Sequence, residues 1–195
     1  MILGITGAFG CGKSTVLRFF ENRNWFVFDA DKVCHSFYTE KNPLIMETVK
    51  NNFGEAVFDT NGDINRKKLG EAVFNQPEKM AVLTGTMYPL LTEKLRADIE
   101  KCKAAKINGA FEIPLLFEKD FQLEFDKILS IWTDDTLRYE RLKGRNFDLQ
   151  EIKRRDKVQM PPQDKLEKAD FAVINNGSTD KLLCQLEFLL DTVLI

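Results

Sequence analysis

The sequence has 195 residues, long for one minimal domain and short for two, so one α/β core carrying insertions is expected. It is 44% hydrophobic, enough for a sizeable core, and its formal net charge of −2 supplies no global field for nucleic acid or an anionic membrane. No apolar run approaches the ~18 residues that span a bilayer, and four widely spaced cysteines without a CxxC argue against a zinc site or a disulfide framework.

The chain opens directly on Ile2-Leu3-Gly4-Ile5-Thr6, an apolar run that predicts a buried strand. No charged leader precedes it, so free thiols and a cytoplasmic location are expected. Gly7-Ala8-Phe9-Gly10-Cys11-Gly12-Lys13-Ser14 follows and fits G-x-x-x-x-G-K-[ST], the phosphate-binding loop. Val16, Leu17, Phe19 and Phe20 then read as a helix, completing the strand–loop–helix frame that this motif needs. The glycines let successive N–H groups curl into one concavity, and the new helix adds its free N–H groups and positive dipole end. Lys13 would reach the β- and γ-phosphates, and the Ser14 hydroxyl would ligate Mg²⁺. The Cys11 thiol has two readings. Beside Lys13 and a helix N-terminus it is a reactive thiol protected by nucleotide, or it is a small residue filling a loop position.

Trp25-Phe26-Val27-Phe28 reads as a second strand, ending in Asp29-Ala30-Asp31. Ligands of open α/β sheets bind beyond the carboxyl ends of the strands. The two carboxylates therefore suit Mg²⁺ ligation through water or acceptance of a proton from a substrate hydroxyl. A helix N-cap is the competing reading for each. Helical spacing rules the 75 residues from Lys32 to Lys106, through Ile45, Val49 and Phe53, Leu69 and Val73, and Leu90 or Leu91, Leu95 and Ile99. Asn42-Pro43 and Asn65 are helix starts. A βαβ crossover needs far fewer residues, so this stretch is an inserted helical subdomain, a natural place for a phosphate acceptor. His35, one turn after Asp31, either touches that acceptor or is simply a partly exposed histidine.

Ile107–Ile113 returns to strand character, with Glu112 near its carboxyl end. Glu112 either holds water around Mg²⁺ or faces outward. Lys127–Trp132 is the next predicted strand, and Thr133 is expected to cap the following helix. Arg138–Lys157 carries eight bases against four acids. It reads as a mobile lid closing arginines, Arg141 and Arg145 among them, over phosphates, or as a solvated basic helix pair. Ala169–Gly177 reads as a last strand and its turn, and Ser178 caps a C-terminal helix. Asn175 or Asn176 either contacts the nucleotide base or serves the turn geometry. Asp59-Thr60-Asn61-Gly62 fits the short D-x-x-G of GTPase switches. It lies in a helical region, however, and no N-K-x-D accompanies it.

Taken together, the residues resemble the dephospho-coenzyme A kinase family along nearly the whole chain. The shared stretches are the loop with Thr15, Asp29-Ala30-Asp31, and Gly62-Asp63-Ile64-Asn65-Arg66. They continue through Pro114-Leu115-Leu116-Phe117-Glu118, Arg141-x-x-x-Arg145, Arg155-x-x-x-Gln159-Met160-Pro161 with Lys165, and Ala169-Asp170 leading to Asn175. The resemblance implies transfer of the ATP γ-phosphate to the ribose 3′-hydroxyl of dephospho-CoA. It also implies a three-layer α/β/α P-loop kinase fold with a five-stranded parallel sheet, a helical substrate-binding insertion and a lid. Residues 1–31, 107–135 and 169–195 would form the nucleotide-binding core, 32–106 the acceptor domain and 136–168 the lid.

Carried over by motif, Lys13, Asp31 and Arg141 are expected to be catalytic. Gly10, Cys11, Gly12, Lys13, Ser14, Thr15, Arg145 and Asn175 are expected to bind ATP. Asp31, His35, Arg66 and Tyr88 are expected to bind the acceptor, and Ser14 the Mg²⁺. The expected partners are ATP and dephospho-CoA, with neither nucleic acid nor membrane, in a monomer or small homo-oligomer. The sequence departs from the family pattern at Tyr88, where His is common, at Arg138, where Gln is common, at His35 and in the middle of the loop.

Overall fold

The computed structural model describes residues 1–73 and 76–193. Among these, five strands form one parallel sheet: β1 (Ile2–Gly7), β2 (Phe26–Asp29), β3 (Gly109–Glu112), β4 (Lys127–Trp132) and β5 (Phe171–Ile174), in the order β2-β3-β1-β4-β5. All six residues of the central β1 are buried, which is why this strand reads as an apolar run without alternation. On one face, Leu3, Ile5, Leu129, Ile131 and Val173 pack with Val16, Phe19 and Phe20 of α1 (Lys13–Glu21) and with Leu182 and Leu186 of α9 (Thr179–Thr192). On the other, Phe111 stacks against Phe26, Phe28 and Phe125 at 5.5–5.9 Å between centroids. A Cβ on Gly4 would stand 2.8 Å from the Phe125 ring and 3.0 Å from Leu116, so a mid-strand glycine admits this aromatic layer.

The chain divides into two compact units, residues 1–29 with 99–195, and residues 30–98. The second unit holds α2 (Ala30–Thr39), α3 (Pro43–Phe53), α4 (Arg66–Val73) and most of α5 (Pro77–Ala105). Its own core is Ile45, Val49, Val57, Ile64, Leu69, Val73, Leu83 and Met87. The helix starts follow from their caps. Asn42 Oδ1 accepts from the Leu44 and Ile45 N–H groups ahead of Pro43, and Asn65 Oδ1 accepts from Lys68 N–H. Asp59–Gly62 lies in the turn between the bridged residues Phe58 and Ile64, not within a helix.

The first unit carries a helical arm after β4: α6 (Asp135–Lys143), α7 (Leu149–Val158) and α8 (Pro162–Lys168). Thr133 does not cap α6. Asp134 does, accepting from Thr136 N–H, and the Thr133 hydroxyl donates instead to the Cys11 carbonyl at 3.0 Å. Tertiary contact with the loop outcompetes local capping here. Ser178 does cap α9, accepting from Lys181 N–H. None of the four cysteines is in a disulfide, and no described helix is long and apolar enough to cross a membrane.

Candidate active site

Residues 7–12 connect β1 to α1 at the carboxyl edge of the sheet, and the glycines are required by their surroundings. Gly12 has φ 104° and Gly10 φ 84°, a region that side chains rarely occupy. A Cβ on Gly12 would fall 2.3 Å from Asn175 Nδ2, and one on Gly10 2.7 Å from Leu142. Lys13 is buried, and its Nζ curls back to donate to the Gly7 and Ala8 carbonyls at 3.2 and 3.1 Å. The Glu112 carboxylate lies 4.0 Å from that ammonium. Glu112 is in register with Asp29 on β2, so two carboxylates stand side by side on neighbouring strands at the edge where Lys13 sits. Ser14 is exposed in the first turn of α1, and Thr15 is half-buried beside it. This set of hydroxyl and carboxylate oxygens suits a hard divalent cation.

The Cys11 thiol is fully buried, and burial pushes its pKa up despite the opposing effect of Lys13. Burial thus favours the reading of a small residue filling a loop position, since desolvation outweighs the nearby positive charge. The carbonyl of Cys11 is held from two sides, by Thr133 Oγ1 and by Asn175 Nδ2 at 2.9 Å. The Asn175 amide thus braces the loop. The backbone carbonyl of Asn175 accepts from Arg141 Nη1 at 2.8 Å, and Arg141 Nη2 reaches Gly177 O at 3.3 Å. Arg145 is exposed, 5.6 Å from the centroid of the Phe147 ring.

Arg138 departs from the expectation that the bases of this stretch face phosphate. It is 2% exposed and bonded to Asp135 and Asp156. Burial lowers its pKa, but the two carboxylates more than offset this and hold it above the usual value.

Asp31, His35, Arg66 and Tyr88 belong to the second unit. Asp31 lies in the first turn of α2, where the dipole favours a carboxylate. His35 is exposed one turn later, Arg66 is exposed at the start of α4, and Tyr88 lines a surface hollow of α5 with Thr92 and Arg96. The Tyr38 phenol on α2 is pushed up to about 12, by burial first and then by Cys34, against the opposing charge of Arg66.

A buried pair received no role from the sequence. Lys165 has no exposed surface, and its Nζ lies 2.9 Å from Glu118 Oε1, 2.5 Å from Pro114 O and 3.4 Å from Thr6 Oγ1. Burial lowers its pKa, with Glu118 opposing. The pair ties the exit of β1, the loop after β3 and α8 together. Nothing in local spacing announces it, because the lysine and the glutamate are 47 residues apart.

The parallel sheet, the glycine loop at its central strand and a lysine beside paired carboxylates define a P-loop kinase. The fold agrees with this: a shikimate kinase from Aquifex aeolicus superposes with TM-score 0.52 at 16% identity, covering 98% of this chain and 96% of that one. A family model described as dephospho-CoA kinase matches residues 1–181. A dephospho-CoA kinase of Aquifex aeolicus (strain VF5) is 35% identical over 185 residues, 95% of this chain and 93% of that protein. A Thermus thermophilus protein of solved structure matches with TM-score 0.80 at 29% identity, over 99% and 97% of the two chains. The chain belongs to the dephospho-CoA kinase family.

Proposed function

We infer that this chain phosphorylates the ribose 3′-hydroxyl of dephospho-CoA with ATP, giving CoA and ADP, the last step of coenzyme A synthesis. The observation that carries the reading is a family match along residues 1–181 whose loop presents a buried Lys13 beside carboxylates at the carboxyl edge of the sheet. The loop amides and the N-terminus of α1 receive the β- and γ-phosphates. The acceptor 3′-oxygen attacks the γ-phosphorus while the bond to the β-phosphate oxygen breaks, and ADP leaves with that electron pair. Asp31 takes the proton of the 3′-hydroxyl. Lys13 and Arg141 stabilise the transferring phosphoryl group. Gly10 to Thr15, Arg145 and Asn175 form the ATP side of the site, and Asn175 acts through its hold on the loop. Ser14 would hold Mg²⁺, with the Asp29 and Glu112 edge available through water. When bound, the ion neutralises charge on the phosphate oxygens.

Residues 30–98, with His35, Arg66 and Tyr88, form the acceptor unit in this reading. The arm 136–168 acts as the lid, and the chain works in the cytoplasm as a monomer or small oligomer. The test is ADP release from ATP in the presence of dephospho-CoA, with phosphorus NMR to locate the product phosphate on the 3′-oxygen. Asp31→Asn is expected to lower kcat about a hundredfold or more while ATP affinity is kept. Near-normal turnover of that variant would remove Asp31 from the chemistry, and no ADP release by the parent chain would overturn the acceptor.

A further inference from the structure

The tip of the phosphate loop is held by the helical arm through the N–H, the C=O and the ring of Phe9. Phe9 N–H donates to Gln159 Oε1 at 3.0 Å, and Phe9 C=O accepts from Arg138 Nη1 at 3.0 Å. The Phe9 ring meets the Phe147 ring edge-on at 5.0 Å between centroids and lies under the Arg155 guanidinium at 4.3 Å. Leu142 fills the space beside Gly10 where a Cβ would sit. We propose that Arg138 and Gln159 are positioning residues of the phosphate loop. By fixing both backbone polar groups of Phe9, they preset the amides that receive the triphosphate of ATP.

The hydrogen-bond inventory of Arg138 leads to this assignment. A guanidinium has five N–H donors. Here Nε and Nη2 donate to Asp135 Oδ1 at 3.0 and 2.7 Å, Nη1 and Nη2 donate to Asp156 at 2.8 and 2.9 Å, and the remaining Nη1 donor goes to the Phe9 carbonyl. All five are used, and none is left for a phosphate. Asp156 is itself fixed by the Tyr139 hydroxyl. Gln159 is anchored by its neighbour, because Met160 N–H donates to Glu118 Oε1 at 2.7 Å. Both holds on Phe9 therefore rest on rigid supports. A glycine-rich tip without them would exchange its bonds with water and sample many shapes, and ordering it on binding would weaken the ligand. Holding the tip from the arm moves that ordering to the folding step. It also links nucleotide affinity to the arm's position, since an arm that swings away releases both Phe9 bonds together.

The proposal rests on residues 7–14 binding ATP, but not on the acceptor. The test compares the full chain with Arg138→Gln, Arg138→Lys and Gln159→Met. The readouts are the Kd for MgATP by calorimetry, KM for each substrate, the unfolding midpoint, and hydrogen exchange of the amides of residues 8–11. Arg138→Gln is expected to raise Kd and KM for ATP about tenfold, to leave KM for dephospho-CoA within about twofold, and to speed exchange at the loop. Arg138→Lys should recover part of the affinity, since an ammonium keeps the positive charge beside Asp135 and Asp156. Gln159→Met removes the acceptor of the Phe9 N–H without leaving a buried charge, so it carries the test if Arg138→Gln fails to fold. Folded variants with parental ATP affinity and parental loop exchange would overturn the assignment, as would equal rises in both KM values. The calorimetric and exchange arms need no turnover, so a parent chain inactive on dephospho-CoA would sink the proposed function and leave this test intact.

Discussion

Lys165 is a lysine with no exposed surface. Glu118 Oε1, Pro114 O and Thr6 Oγ1 surround its Nζ, and Glu118 opposes the lowering of its pKa by burial. Removing one member of a buried pair leaves an uncompensated charge, which is worse than removing both. Lys165→Met is therefore expected to destabilise the protein by about 3 kcal/mol or more. Adding Glu118→Gln should recover a large part of that loss. Urea unfolding of the two variants against the parent checks this, and a double variant that is worse than the single would contradict it. The residue types at 118 and 165 stood in the family stretches of the sequence, but their partnership did not. A lysine in a polar helix of alternating charges is by default a solvated one.

At the scale of elements, the sheet is secured at its entrance by a repeated device. Asp126, just before β4, accepts the Ile2 N–H of β1 at 2.7 Å, and Asp170, just before β5, accepts the Ile128 N–H of β4 at 2.9 Å. Each carboxylate thus satisfies an amide at the start of the neighbouring strand. Asp170 also pairs with Lys127 at 3.0 Å. Burial raises the Asp170 pKa, but the Lys127 bond and the Ile128 amide outweigh it, so its carboxyl titrates below the ordinary value. A depressed folded pKa stabilises the fold above the unfolded pKa of about 3.9, and that contribution fades as pH falls through the lower folded value. Asp170→Asn should therefore cost up to about 1 kcal/mol at pH 7, given its partial exposure. The gap between variant and parent should close below about pH 4 in urea titrations, and a gap independent of pH would contradict the linkage. The strands and the capped helix starts were legible because apolar runs, Asn-Pro and Ser act over a few residues. Thr133 misled because its hydroxyl had a better partner, the Cys11 carbonyl, more than a hundred residues away.

At the scale of the molecule, the two units have separate apolar cores, one beneath the sheet and one among α2 to α5. Ile45 is fully buried in the second core. Ile45→Ala is expected to destabilise residues 30–98 by about 2–5 kcal/mol, while calorimetric ATP affinity stays at the parental value wherever the variant remains folded. A loss of ATP affinity would show that the cores are not independent. The sequence by itself determined the phosphate loop, the order of strands and helices, the helical insertion and the family. All of these depend on backbone conformation and on side-chain periods that operate within short stretches. The tertiary structure alone decided which guanidinium groups are buried and which partners they bond. Arg138 and Arg141 sit one helical turn apart with the same chemistry. Packing buries Arg138 between two carboxylates and the loop, and sets Arg141 on the carbonyls of Asn175 and Gly177. The cost of desolvating a guanidinium, and the carboxylates that offset it, are set by segments that only the fold brings together.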